Sequence, residues 1–478
     1  MERRVLFAVF LCFLVLYLWQ ALVVKPVPKP VATAAPTMAT GAAEPAPASA
    51  TPPAAAAPST TLAPSQAAPV VGETAERDIR VETQDVIAVF TNRGARLKSW
   101  RLKDHLDTEK QPQELIENEP GAQPLPFTLK TADEQINATL NSALYTVNGA
   151  PPEGSASPSP AELRFEYRDA AGVHVIKDFR LEPTSYVLTF RSSVMAGDRT
   201  LPAAVVWGPA LGDHIAASSL VQGAQGLLYQ NGSPVRLTAD DVAEQPAHEG
   251  DFRYAGVDDN YFMTVALDPG PARITYQPVT IPPPSGSNAA ERVLLSYTIE
   301  PRENAGPLKF YVGPKELDVL TAIDREFASA IHFGWFAVIV VPLLQSLKWV
   351  HGYVGNWGWA IVILTVIINV VLAPLRHKQV VSMRKMQAIQ PEVKSIQDRY
   401  SKLKATDPAK QKMNQEMMAL YREKGVNPAS GCIPVLLTFP IMIAMWAALQ
   451  VSIELRGAPW FGWIQDLSAP DPGTSCRC

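Results

Sequence analysis

Histidine, cysteine and paired carboxylates most often carry chemistry, so their spacing comes first. The chain has 478 residues, with 7 His and 4 Cys. Cys12, Cys432, Cys476 and Cys478 match neither zinc-finger spacing nor a disulfide framework. His105, His174, His214 and His248 are scattered, with no HExxH pair to hold a metal. The same region contains no G-x-S-x-G and no glycine-rich phosphate loop. Asp258 and Asp259 form an acidic pair, but adjacent side chains on a strand or turn point apart, so a solvated face is expected. No enzyme, metal or cofactor chemistry is expected from these residues.

The denser pattern is cationic. Residues 376–424 hold twelve Lys and Arg against five acids, a net of +7 in a chain whose total is −4. Arg384, Lys385, Lys402, Lys404, Lys410 and Lys412 form the candidate docking face, for ribosomal RNA, acidic lipid or a targeting factor. The plainer reading is a signal that keeps the loop in the cytoplasm. Tyr400 and Tyr421 are too few for the aromatic interleaving of a dedicated nucleic-acid fold, which argues against one. Ile389, Val393, Ile396, Tyr400 and Leu403 repeat at helical spacing, and Met413, Met417 and Leu420 continue after Thr406-Asp407-Pro408. That spacing predicts a helical hairpin closed by an apolar seam over 376–426.

The elements around this loop read as a multidomain membrane protein. Hydrophobic residues make up 47% of the chain and charged ones 18%, which excludes both a single soluble globule and a wholly disordered chain. Residues 1–24 carry a charge-free run from Val5 to Val24, long enough to cross a hydrocarbon core of about 30 Å. Arg3 and Arg4 precede it, which favours a cytoplasmic N-terminus. The run exceeds a signal-peptide core and lacks a small-x-small cleavage site, so an uncleaved anchor is expected. Residues 25–71 contain 11 Pro and 16 Ala and read as a disordered tether.

Residues 72–330 then alternate with period two, as in IRVET (79–83), VIAVF (86–90), LRFEY (163–167), HVIKDFRL (174–181) and YVLTF (186–190). Strands buried on one face imply a large exported β-sandwich. Residues 331–350 are apolar but interrupted by Pro342 and Gln345, which suits an interfacial helix. Residues 357–375 are charge-free and fit a membrane span, with Trp349, Trp357 and Trp359 at the expected headgroup boundary. Residues 431–451 form a further span, with Pro434 in its first turn and Pro440 placed to kink it. Residues 452–478 are an aromatic-rich interfacial segment and tail.

The runs FYVGPK, VGNWGWAI, PLRHKQVVSMRKMQAIQPE, MNQEMMALYREKGVNPASGCIP and ELRGAPWFGWIQDLSAPDP resemble the YidC/Oxa family of membrane-protein insertases. The match is strong over roughly 310–472, and anchor, tether and sandwich resemble the Gram-negative branch. The resemblance implies a bacterial inner-membrane protein with its β-domain in the periplasm. It implies a polar groove through which hydrophilic segments of nascent membrane proteins partly cross, alone or with the Sec translocon. It assigns Thr365, Asn369 and Arg376 to that groove, and Leu436, Phe439, Pro440 and Met442 to a surface along which the substrate helix slides. Ribosome or targeting-factor contact falls to the basic loop.

Two departures from the family pattern stand out. Asn369 occupies a position where members commonly carry Arg or Lys, which replaces a charged groove by a polar one. Members also continue past the Ser-Ala-x-Asp-Pro motif to complete five core spans, whereas here Gly473–Cys478 follows directly. An incomplete core with a frameshifted or prematurely ended tail is therefore expected, including the alternative of a non-functional truncated insertase. Two other classes compete. A membrane-anchored carbohydrate-binding protein would use the sandwich, which in this family resembles sugar mutarotases. A transporter would show internal repeats, and none is evident.

Overall fold

The computed structural model describes residues 69–107, 110–117, 124–150, 160–209, 211, 223–282, 291–302, 306–400, 409–425 and 433–468. The expected anchor and nearly all of the tether lie outside these residues, as does the tail Gly473–Cys478.

The alternating segments form strands close to their expected places: Asp78–Glu82, Val86–Thr91, Ala161–Asp169, Val173–Leu181 and Val187–Ala196. Among the described residues every pairing is antiparallel, in one sheet of 14 strands and one of 4. The alternation is literal: in Ala161–Asp169 every second residue is buried. The two sheets pack face to face, with Phe90 of the small sheet 4.9 Å from Phe179 and 6.2 Å from Phe165 of the large one. Trp100 crosses between them, its Nε1 donating to the carbonyl of Val312 at 2.9 Å. Lys177 is also inside, where its Nζ donates to the carbonyls of Gly94 at 2.6 Å and Phe127 at 2.8 Å. Three carbonyls at 2.6–3.3 Å accept from its Nζ, and burial holds its pKa well below the usual lysine value, which makes an amine amid aromatic rings tolerable.

The tether boundary moves. Pro69–Val71, expected to be tether, is an edge strand paired with Ala161–Asp169. Its proline is the first strand residue, where the missing N–H costs no ladder bond.

Three short helices, α1 (Glu134–Ser142), α2 (Ala239–Glu244) and α3 (Leu317–Ile323), accompany the sheets. After α3, Phe327 wedges between Tyr254 and Tyr311, with ring centroids 5.3 Å from each. The chain then enters α4 (Ala337–Val354), which begins six residues after the expected start and ends four after the expected end. Gly355 stops it in the left-handed conformation at φ 68°, and Asn356 caps α5 (Trp357–Ala388) by accepting from the N–H of Trp359 at 3.1 Å. A two-residue turn therefore reverses the chain, and His351 stacks on Trp357 across it at 3.8 Å.

Helix α5 runs through Pro374 for 32 residues instead of ending at Leu375. Only one ladder bond is lost at an internal proline, and the flanking apolar turns keep the rest. Then follow α6 (Gln390–Arg399), α7 (Ala409–Glu423) and α8 (Ile433–Val451). Buried Leu347 and Val350 of α4 meet Ala360 and Leu364 of α5, with Met445 and Leu449 of α8 packed alongside. Val340 and Leu344 of α4 and Ala444 and Ala448 of α8 join the core of the sheet domain. Small residues at 444 and 448 permit that close approach.

Candidate functional site

Thr365, Asn369 and Arg376 are spaced by four and seven residues, which places them along one stripe of α5. Thr365 and Asn369 are the polar residues in a stretch, 360–372, otherwise built of Ala, Val, Ile and Leu. Thr365 Oγ1 donates to the Ile361 carbonyl at 2.8 Å, and Asn369 Nδ2 donates to the Thr365 carbonyl at 2.7 Å. These back-bonds use the Thr365 hydroxyl and one of the two Asn369 amide hydrogens, and leave Asn369 Oδ1 with no donor among the described residues. Arg376 is exposed, about two turns further along, and has no acidic partner among the described residues.

A second surface lies on α8. Phe439 and Met442 are exposed at 53% and 64%, and Pro440 is half-buried. The side chain of Leu436 lies outside the described residues. Trp446, 57% exposed, extends the stripe at 439, 442 and 446 and was not among the sequence candidates. Its signal was available: it stands seven residues after Phe439, on the same helical face. Ala444 and Ala448 are buried on the other side, so α8 is divided lengthwise into a packed face and an open apolar one.

Of the basic candidates, Arg384 and Lys385 near the end of α5 and Lys412 on α7 are exposed, with no acidic partner among the described residues. Lys402, Lys404 and the side chain of Lys410 lie outside them. Ile389 and Val393 pack with Met417, Leu420 and Tyr421, and Tyr400 Oη donates to Glu416 at 2.7 Å. Lys424 pairs with Glu392 at 3.1 Å, so these contacts hold α6 against α7.

A polar junction joins this helical unit to the sheets. Lys348 of α4 reaches Asp318 at 2.7 Å, Glu454 at 2.7 Å and Glu316 at 3.3 Å. Arg456 donates to Gln113 at 2.7 Å and lies 5.0 Å from the ring of Phe262. Asn260 donates to the Gln450 carbonyl at 3.1 Å. Trp349 and Trp359 stand exposed close by, whereas Trp357 is half-buried under His351.

The acidic pair corrects an expectation. Asp258 and Asp259 are buried, at 0% and 7% exposure, rather than solvated. Asp258 takes Lys315 Nζ at 2.8 Å with Arg236 at 3.6 Å, and Asp259 Oδ1 accepts the N–H groups of Tyr261 and Phe262. The pair closes a turn between two long strands, and the buried lysine supplies its counter-charge. No group of three His, Cys, Asp or Glu among the described residues is placed to hold a metal.

Half-buried histidines give the sheet domain a pH dependence. Burial pushes His105, edge-on to Phe262 at 6.1 Å, and His248 below the ordinary imidazole value. The unfolded chain then binds more protons than the folded one below about pH 6.5, so stability falls as pH drops through that value and levels off below the folded values. The urea midpoint of the full chain in detergent is expected to be lower at about pH 5.5 than at about pH 7.5. His105→Leu is expected to flatten that slope; an unchanged slope in the variant contradicts the assignment.

Comparison with known proteins adds the family. Residues 78–346 match the model of the YidC periplasmic domain, and residues 349–476 match that of the 60Kd inner membrane protein. The chain is 32% identical to the membrane protein insertase YidC of Pelobacter propionicus over 98% of this chain and 84% of that one. It is 45% identical to the YidC of Campylobacter jejuni over 34% of this chain and 30% of that one. A solved active YidC insertase aligns over 84% of this chain and 79% of its own, at 19% identity and a TM-score of 0.28. The two family models meet near residue 347, inside α4, where sheet domain and helices share one core. On this whole-length agreement, the chain belongs to the YidC family of membrane protein insertases.

Proposed function

We propose that the chain inserts newly made membrane proteins into the inner membrane by shielding their polar segments along α5 while their apolar helix rides on α8. It is a chaperone of insertion and not an enzyme; apolar burial in lipid supplies the driving force. The observation that carries this reading is the stripe formed by Thr365 and Asn369 within the charge-free stretch 357–375 of α5, with Arg376 at its end. A hydroxyl, an amide and a cation in that setting lower the cost of polar backbone in hydrocarbon. The open face of Phe439, Met442 and Trp446 offers the apolar counterpart.

The junction supports a placement in the bilayer. Lys348 bonded to two acids of the sheet-domain side sits at the aqueous level, so α4 reads as interfacial despite a length and composition that suit a span. Trp349 and Trp359 mark the headgroup plane. From there α5 descends about 28 Å over residues 357–375 and delivers Arg376, Arg384 and Lys385 to the cytoplasmic side. On that side the exposed Arg384 and Lys385 of α5 and Lys412 of α7 belong to the docking surface for a ribosome or targeting factor, a reading that includes Lys402, Lys404 and Lys410 from the sequence alone. Cooperation with the Sec translocon belongs to the same reading and rests on family membership.

In vesicles holding the purified chain, Thr365→Val with Asn369→Leu is expected to slow insertion of a substrate with a polar translocated segment by about tenfold. A substrate without such a segment is expected to insert unchanged. Equal slowing of both, or of neither, counts against the groove.

A further inference from the structure

The strand Val187–Ala196 pairs along one edge with Val173–Leu181, continuously from Leu188 to Ala196. Its other edge is shared by two strands. Val187–Phe190 pairs with Leu308–Tyr311, and Val194–Ala196 pairs with Arg199–Leu201. Arg191, Ser192 and Ser193 fall between them and have no strand partner on that edge among the described residues. In an antiparallel strand successive residues direct their N–H and C=O to opposite edges, so at least one of the three presents both groups to the gap. Backbone groups left this way seek a partner.

The gap opens into a cleft of about 990 Å³, lined on one side by Phe190–Val194 and on the other by Lys130 and Ala203–Val205. Lys130 and Arg191 are exposed and have no acidic partner among the described residues. Ser193 and Thr200 add hydroxyl groups without side-chain partners among the described residues, and Glu300 supplies one carboxylate at the rim.

We infer that this cleft binds an extended polypeptide segment, which adds a short strand to the open edge at Arg191–Ser193 and sets an acidic side chain against Lys130 and Arg191. Backbone pairing gives the affinity, and the two cations choose the sequence. A bare anion would use the cations but leave the edge unpaired, and a sugar would leave the cations unpaired. The inference is independent of the membrane groove, and its failure leaves the insertase reading untouched.

The test uses the full chain in detergent and a fluorescein-labelled peptide of alternating Thr and Val with a central Glu. Saturable anisotropy is expected. Affinity is expected to fall about tenfold or more when alternate amides are N-methylated, and likewise in Lys130→Glu/Arg191→Glu. Circular dichroism checks that this surface variant stays folded, and the N-methylated peptide needs no variant at all. No saturable binding, equal binding of the N-methylated peptide, or displacement by inorganic phosphate or glucose at the peptide's own concentration would overturn the inference.

Discussion

Replacing Asp258 by alanine is expected to cost the folded chain about 3–5 kcal/mol, the largest effect of any single substitution considered. Lys315 is 2% exposed at its side chain and has one carboxylate within 2.8 Å. Without Asp258 its ammonium keeps only the Asp259 carbonyl at 2.7 Å, and Arg236 loses the anion 3.6 Å from its Nε. Lys315 and Arg236, at the end of the strand Ala247–Asp258, then keep carbonyl partners but lose the carboxylate they share. The loss comes from stranding a buried charge, so Lys315→Met in the Asp258→Ala background is expected to recover much of it. Denaturant unfolding of the full chain in detergent measures both. A single-variant loss under about 1 kcal/mol, as an exposed pair would give, contradicts the account.

The second large effect lies at the junction. Lys348→Met leaves Glu316 and Glu454 close together, at 29% and 15% side-chain exposure, with no cation between them. Asp318 is 66% exposed and contributes little, since water screens it. The expected cost is about 2–3 kcal/mol, in the range of hydrogen bonds to charged groups. It should appear locally, as faster amide exchange in α3 and α4, because Lys348 ties α4 to the chain before it and to the segment after α8. Glu454→Gln in the Lys348→Met background removes one of the facing charges and is expected to restore part of the protection. Unchanged exchange in Lys348→Met would mean that Val340 and Leu344 hold the junction alone.

Most of the sheet domain was legible in the sequence because burial there follows a period of two. LRFEY and HVIKDFRL became adjacent strands, with Leu163 opposite Phe179 and Phe165 opposite Lys177. Pairing partners were not legible, since register over such separations depends on tertiary packing. Asp258 and Lys177 were misjudged or passed over for one reason. A charged residue reads as exposed until its partner is known, and those partners are Lys315 and the carbonyls of Gly94 and Phe127. Helix ends were misplaced where composition changed but the hydrogen-bond ladder did not, as at Leu375 within α5. On α8, attention to the family pattern picked Phe439 and Met442 and overlooked Trp446, which simple helical spacing would have found.

The central claim, that substrate helices ride on the open face of α8, is tested most directly by a photo-crosslinker at Met442. A stalled nascent chain exposing one apolar segment is expected to crosslink at 442 and also at 446, while a crosslinker at the packed position Ala448 yields none. Lipid adducts alone at Met442, with no nascent-chain product, would contradict the account.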